Sequence, residues 1–320
     1  MAYKWPSEDD MVSRTIVQLF SWRNEMTTAC PIPIHDQLID CGFAELGYFK
    51  IIILGIVQGV TELLPISSTA HLRIVPAFLG WQDPGTPFTG AVQLASFFAV
   101  MIYFRKEIAN IFFGTLKSIR EKNFSSTEFR LGIGIIIGTI PVGIMGLLLK
   151  STLNAPNSPL RSIYVIGVAC MVMGALFIVA EKICKHERDF SKLTFKDCIL
   201  VGLSQVAALI PGVSRSGATI TTGLFLGLKR ETAAAFSFIL GVPVIVAAGL
   251  KQIHEMSLAG LTTHGWSILI VGLITASIAA FVAVFGLMKY LEQRSTLIFA
   301  WYRLILGVIL IAGASLGWLH

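Results

Sequence analysis

The chain has 320 residues, of which 54% are hydrophobic and only 14% charged, with a mean hydropathy of +0.74. A soluble domain carries about 25% charged residues, so a soluble class is excluded, and repeated apolar runs of near-spanning length define a polytopic α-helical membrane protein rather than an alternating β-barrel. The net charge of +6 does not indicate nucleic acid, because the basic residues cluster in loops between apolar runs, where membrane topology accounts for them.

Residues 1–47 are polar and mixed. They hold no basic segment leading into an apolar core, so no standard signal peptide is expected. The stretch 12–22 fits a short amphipathic helix, and the extension as a whole reads as a mobile tail. The five cysteines, at 30, 41, 170, 184 and 198, form no CxxC pair and read as scattered packing residues, not a disulfide or metal framework.

The run 51–64 is apolar but short: at ~1.5 Å per residue it reaches about two-thirds of a ~30 Å hydrocarbon core before Pro65 ends it. A second short arm, 72–79, closes at the turn-rich 80–85. Between them lies Gln58-Gly-Val-Thr-Glu62-Leu-Leu-Pro65-Ile-Ser67-Ser68-Thr69-Ala-His71. Two short arms around a polar tip predict a re-entrant hairpin over about 51–80. Such backbone is tolerated at membrane depth only where protein or a cavity surrounds it. Three spans follow, at about 88–104, 131–149 and 163–180. The connecting stretch 105–130 holds six basic residues, 150–162 two, and 181–197 five.

The pattern then repeats. A short arm over 198–210 ends at Pro211. A second polar tip follows, Pro211-Gly-Val-Ser214-Arg215-Ser216-Gly-Ala-Thr219, then an arm over 218–228 and spans at about 232–250, 266–290 and 297–318. Gly55-x-x-Gln58 is echoed by Gly202-x-x-Gln205, and Pro65-x-Ser67 by Pro211-x-x-Ser214 with a small offset. The expected architecture is therefore all-α, with two five-helix repeats over 48–196 and 197–320. Each is a re-entrant helical hairpin plus three transmembrane helices, the second hairpin covering about 198–228. Three spans between the hairpins make the repeats inverted, so the two tips can meet near the midplane. The positive-inside rule puts the face carrying 105–130, 181–197, Lys229, Arg230, Lys289 and Arg294 in the cytoplasm, with both termini and the first hairpin opening outward. Arg303, near the cytoplasmic end of the last span, is expected to snorkel to the interface.

The two tips carry the chemistry. Arg215 offers a planar fork matched to phosphate oxygens, and helix N-termini add N–H donors that favour anions. Ser214, Ser216 and Thr219 beside it complete a phosphate cradle; the rival reading is a buried arginine paired with Glu62 for packing alone. Ser67, Ser68, Thr69 and His71 form the opposite wall. A serine becomes a nucleophile when histidine or glutamate takes its proton. Gln58 and Glu62, four apart, share one helix face, and the carboxylate could orient the serine, act as base or hold a divalent metal.

These residues resemble a family. The first tip is similar to a (Glu/Gln)-x-x-x-Glu box followed by Pro-x-Ser-Ser-x-x-His. The other tip resembles a Pro-Gly-x-Ser-Arg-Ser-x-x-Thr box. Both are signatures of the bacterial undecaprenyl-diphosphate phosphatases of the BacA/UppP type, and the resemblance covers about 48–318. It implies an integral-membrane enzyme that removes the terminal phosphate of undecaprenyl diphosphate, recycling the lipid carrier for peptidoglycan and other wall polymers and conferring bacitracin resistance. It further implies Ser68 as nucleophile, Glu62 as essential carboxylate, His71 as acid/base or orienting group and Arg215 as phosphate clamp. Ser67, Ser214, Ser216 and Thr219 would support the phosphate. A divalent cation, Mg²⁺ or Ca²⁺, is expected at Glu62. Gln58 takes the amide alternative of its box, so it would be a weak metal ligand. The implied partners are a prenyl diphosphate lipid and the bilayer of the bacterial plasma membrane, with the site open to the outer face. Homo-oligomerisation is left open.

The strongest rival is an inverted-repeat transporter or flippase that binds an anionic lipid without cleaving it. The acid-phosphatase-like lipid phosphatases are rejected, because after Ser214-Arg215 no histidine appears until His254 and no aspartate follows at all.

Overall fold

The computed structural model describes residues 39–149, 160 and 162–317; the stretch 12–22 lies outside them. Among the described residues the chain is helical, with twelve α-helices and a single isolated bridge between Arg188 and Leu228. In chain order these are α1 (Gly47–Leu63), α2 (Ser68–Leu79), α3 (Gly85–Val92), α4 (Leu94–Tyr103), α5 (Arg105–Arg120) and α6 (Thr127–Leu148). They continue with α7 (Ile163–Ile183), α8 (Phe195–Ala207), α9 (Arg215–Phe225), α10 (Arg230–Leu258), α11 (Thr263–Leu291) and α12 (Leu297–Ser315).

Among the described residues, six segments are long and apolar enough to cross a membrane: Gly85–Tyr103, formed by α3 and α4, then α6, α7, α10, α11 and α12. They coincide with the six predicted spans, and the chain is a multi-pass membrane protein. Apolar side chains line their outer faces at helical spacing, such as Ile136, Ile140 and Ile144 on α6 and Ile274, Ile278 and Phe285 on α11, all exposed. The pairs α1/α2 and α8/α9 are the predicted short arms. Local chemistry sets their ends. Leu64, before Pro65, is extended (ψ 139°), which stops α1. Thr194 and Asp197 form a reciprocal capping box that starts α8.

Three features differ from the sequence reading. The basic stretch 105–130 is not a plain loop: α5 fills most of it. Ile108, Ile111, Thr115 and Leu116 recur at helical spacing among the charges, and Ile108 and Ile111 pack against the core. The first span begins at Gly85 and breaks at Gln93, where Ser96 bonds back to the Gln93 carbonyl in a tighter turn. Cys41 is disulfide-bonded, against the expectation of scattered thiols, whereas Cys170, Cys184 and Cys198 are free. Cys41, Phe43, Ala44 and Leu46 are buried in a cluster with Phe88, Met256 and Leu269, so residues 39–46 pack on the ends of α3, α10 and α11.

The packing directions are regular. Gly55 faces Gly272 and Gly59 faces Ala276, so α1 runs parallel to α11. Gly134 faces Cys198 and Gly138 faces Gly202, so α6 runs parallel to α8. By contrast, α7 and α12 are antiparallel (Gly167 by Leu310, Gly174 by Ala300), as are α3/α4 and α10 (Gly90 by Gln252, Leu94 by Gly249). The seams depend on small residues: a Cβ on Gly59 would sit 2.2 Å from the Ala276 carbonyl, and one on Gly202 2.4 Å from Gly138. Polar clamps gather at the far ends of the spans, where Arg188 pairs with Asp197, and Glu181 holds Arg230 and Thr296.

Candidate active site

Two turns converge in the middle of this bundle. Each ends on a serine in the left-handed region, Ser67 (φ 75°) and Ser214 (φ 69°). This conformation is uncommon for a side chain-bearing residue and costs of order 1–3 kcal/mol. Each such serine holds the N-cap position of a short helix, and the next residue is a candidate site residue: Ser68 opens α2 and Arg215 opens α9. The two serines lie 147 positions apart, as do Gln58 and Gln205, Gly55 and Gly202, and the left-handed Gly80 and Gly227 that close the arms. The repeat register is thus constant through both hairpins, with Pro65 matching Gly212.

Glu62 is the hub, only 7% exposed. Its Oε2 accepts from the Ser68 hydroxyl at 2.5 Å and from Gln58 Nε2 at 3.1 Å. Its Oε1 accepts from Arg215 Nη2 at 3.3 Å. A carboxylate so placed orients the serine and is within reach of its proton. Arg215 points the Nη1 end of its guanidinium at α10: a Cβ on Gly241 would fall 1.2 Å from Nη1, and that Nη1 is buried without a hydrogen-bond partner. Both helix N-termini face one cavity of about 340 Å³, whose lining includes Glu62, Ser67, Ser68, Thr69, Ser214 and Arg215. It runs toward Arg73, Asp83, Thr86, Thr89 and Gln93. Two helix N-termini and an arginine fork are donors of the kind that favour an anion.

The other predicted residues are placed differently. His71 is buried, does not line the cavity and makes its ring hydrogen bonds to groups other than Ser68. Its Nδ1 donates to the Ser67 carbonyl at 2.7 Å, which leaves Nε2 to accept from the Tyr302 hydroxyl at 2.6 Å. Ser216 and Thr219 also lie off the cavity. The Ser216 hydroxyl donates to the carbonyls of Glu62 and Leu64, stitching the second tip to the first. Thr219 donates to the Arg215 carbonyl at 2.7 Å and pairs with Ser237. Ser214 caps α9 by accepting from Gly217 N at 3.2 Å.

Arg303 does not snorkel. It is fully buried between the tips, because its two terminal nitrogens meet a cluster of backbone carbonyls there that water would otherwise have to satisfy. Sequence reasoning also passed over Tyr302 and Gly241. An ionisable residue well inside an apolar span was the available signal for Arg303; nothing in sequence marks Gly241. Among the described residues no cluster of three histidine, cysteine or acidic side chains forms a metal cage.

Fold and site together define a helical membrane protein with a buried serine–carboxylate–arginine centre. The chain belongs to the bacitracin resistance protein BacA family, whose match spans residues 51–309. It is 52% identical over 262 residues to undecaprenyl-diphosphatase 2 of Mesorhizobium japonicum, covering 82% of this chain and 99% of that protein. It is 47% identical over 277 residues to the undecaprenyl-diphosphatase of Trichormus variabilis, covering 86% and 87%. To that of Trichodesmium erythraeum it is 44% identical over 291 residues, covering 91% of each.

Proposed function

We propose that this chain hydrolyses undecaprenyl diphosphate to undecaprenyl phosphate and inorganic phosphate, so returning the lipid carrier to wall synthesis and conferring bacitracin resistance. The observation that carries the chemistry is the Ser68 hydroxyl held 2.5 Å from Glu62 at the mouth of an arginine-lined anion cavity. The names of the relatives support the substrate.

In this reading the terminal phosphate enters the cavity and takes up Arg215 and the N–H groups at the start of α2. Ser68 Oγ attacks phosphorus while Glu62 Oε2 receives its proton. The bond to the bridging oxygen breaks, undecaprenyl phosphate leaves, and water hydrolyses the phosphoserine. Positioning and fixed positive charge supply most of the acceleration, as phosphoryl transfer requires. His71, with both ring nitrogens engaged away from Ser68, orients the Ser67 turn instead of accepting the serine proton. A divalent cation, Mg²⁺ or Ca²⁺, would be held by Glu62 together with the diphosphate, while Gln58, which does not line the cavity, would support Glu62 through its amide N–H rather than bind the ion. The ion would neutralise phosphate charge.

The two five-helix units are read as inverted repeats. Their end spans pair antiparallel, while each first arm runs parallel to the other unit's middle span, as a pseudo-two-fold axis in the membrane plane demands. The protein is placed in the bacterial plasma membrane with the cavity open to the outer face. The basic stretches 105–130 and 181–197 at the opposite face support that orientation. So does disulfide-bonded Cys41 near the cavity side, since disulfides persist in oxidising compartments. Transport without cleavage leaves the Ser68–Glu62 bond unexplained. Phosphate release from undecaprenyl diphosphate by purified protein, with and without chelator, tests the reading. Wild type releases phosphate and loses activity on chelation, and Arg215→Ala is inactive; folded wild type that releases none sinks it.

A further inference from the structure

The tips are held by a residue that belongs to neither. Arg303, on α12, is 0% exposed. Its Nη1 donates to the Pro65 carbonyl at 3.0 Å, and its Nη2 donates to the carbonyls of Gly212 at 2.6 Å and Val213 at 2.8 Å. Pro65 stands three residues before Ser68 and Gly212 three before Arg215, the same position in each copy. One planar group therefore grips the equivalent carbonyl of both tips. Among the described residues no carboxylate lies within ion-pair distance of it. A buried cation facing only carbonyl dipoles is costly, and a neutral side chain of similar size would pack the same space without that cost. The fork also needs Gly217, where a Cβ would come within 2.8 Å of Nη1.

We propose that Arg303 is a positioning residue for phosphoryl transfer: it sets the distance between the Ser68 hydroxyl and the Arg215 fork by bracing the two tips through their backbones. This rests on the reading of Ser68 and Arg215 as nucleophile and clamp. Lysine at 303 would keep the charge but not the planar fork, so its single ammonium would not brace both turns in one geometry.

The test uses full-length protein in detergent–lipid micelles, assayed for phosphate release from undecaprenyl diphosphate per folded molecule, with folding checked by elution profile and Tm. Arg303→Lys should lower kcat about 10²-fold with KM shifted less than about threefold, the size expected when reacting groups are misplaced by an ångström. Gly217→Ala, which presses on the fork without changing any charge, should lower kcat about tenfold on the same grounds. In an Arg215→Lys background, Arg303→Lys should cost less than about threefold more, because residues that act through one geometry are not additive. A purely structural arginine would instead lower Tm and leave kcat per folded molecule unchanged. Wild-type kcat in both Arg303→Lys and Gly217→Ala overturns the proposal. So does an Arg303→Lys loss that multiplies undiminished onto Arg215→Lys. Loss of activity in Ser68→Ala together with wild-type turnover in Arg303→Lys overturns this role alone; wild-type turnover in Ser68→Ala overturns the nucleophile reading and this role with it.

Discussion

Where the first tip begins its second helix stands Ser68; at the same place in the second tip stands Arg215. The backbone around the two is alike, with a left-handed serine just before and a left-handed glycine closing the arm. The side chains are not. Glu62 has Leu209 as its counterpart 147 positions on, so only the first tip brings a carboxylate to the cavity floor. Gln58 and Gln205 keep the same amide but use it differently. Gln58 donates to Glu62 from behind the cavity, whereas Gln205 borders the cavity and donates to the Gly138 carbonyl at a seam. In the proposed reading, one scaffold used twice separates reactivity from anion binding. A single tip could not do both, because a carboxylate base and a phosphate would repel each other without the arginine between them.

Several changes would break or sharpen this division of labour. The largest effect is expected from Ser68→Ala, which should lower kcat by about 10³-fold or more and abolish any trapped phosphoserine, read by phosphate release and by intact mass after quenching. Next is Arg215→Lys, which keeps the charge but loses the fork. It should cost about 10²-fold in kcat/KM, and substrate titration would show whether the loss lies in binding or turnover. Gly241→Val tests the same clamp from behind: a side chain there collides with the guanidinium. About tenfold loss of turnover is expected from that displacement, while Gly286→Ala, with open space around it, leaves turnover unchanged. The smallest contrast is between the two amides. Gln58→Leu should lower kcat about tenfold by removing a donor from Glu62, and Gln205→Leu should instead cost about 1 kcal/mol of stability with turnover within a factor of about two, measured by Tm and steady-state rate. Equal kinetic losses in both glutamine variants would show that the copies share the chemistry after all.

The polar tips, the short arms and the six spans were all legible, because hydropathy over a ~20-residue window and proline punctuation are local properties that lipid enforces strongly. The register between copies was visible only roughly. Pro65 and Pro211 suggested an offset of one or two residues, and the paired left-handed serines and glycines remove it. The helix α5 was hidden because its charges outweigh its apolar face in any average.

The sequence by itself determined the class of protein, the two polar tips and the residues Glu62, Ser68 and Arg215 that occupy them, since a charge or hydroxyl cluster in an apolar run has few tolerable explanations. Only the tertiary structure decided how those residues divide the work. Which oxygen of Glu62 faces Ser68 and which faces Arg215, why His71 turns to Tyr302, and why Ser216 and Thr219 serve backbone rather than cavity all depend on helices far apart in the chain. Arg303 shows the reason most directly: its partners lie 238 and 91 positions away. A buried donor takes whichever carbonyls the packing brings to it, and no local pattern records that choice.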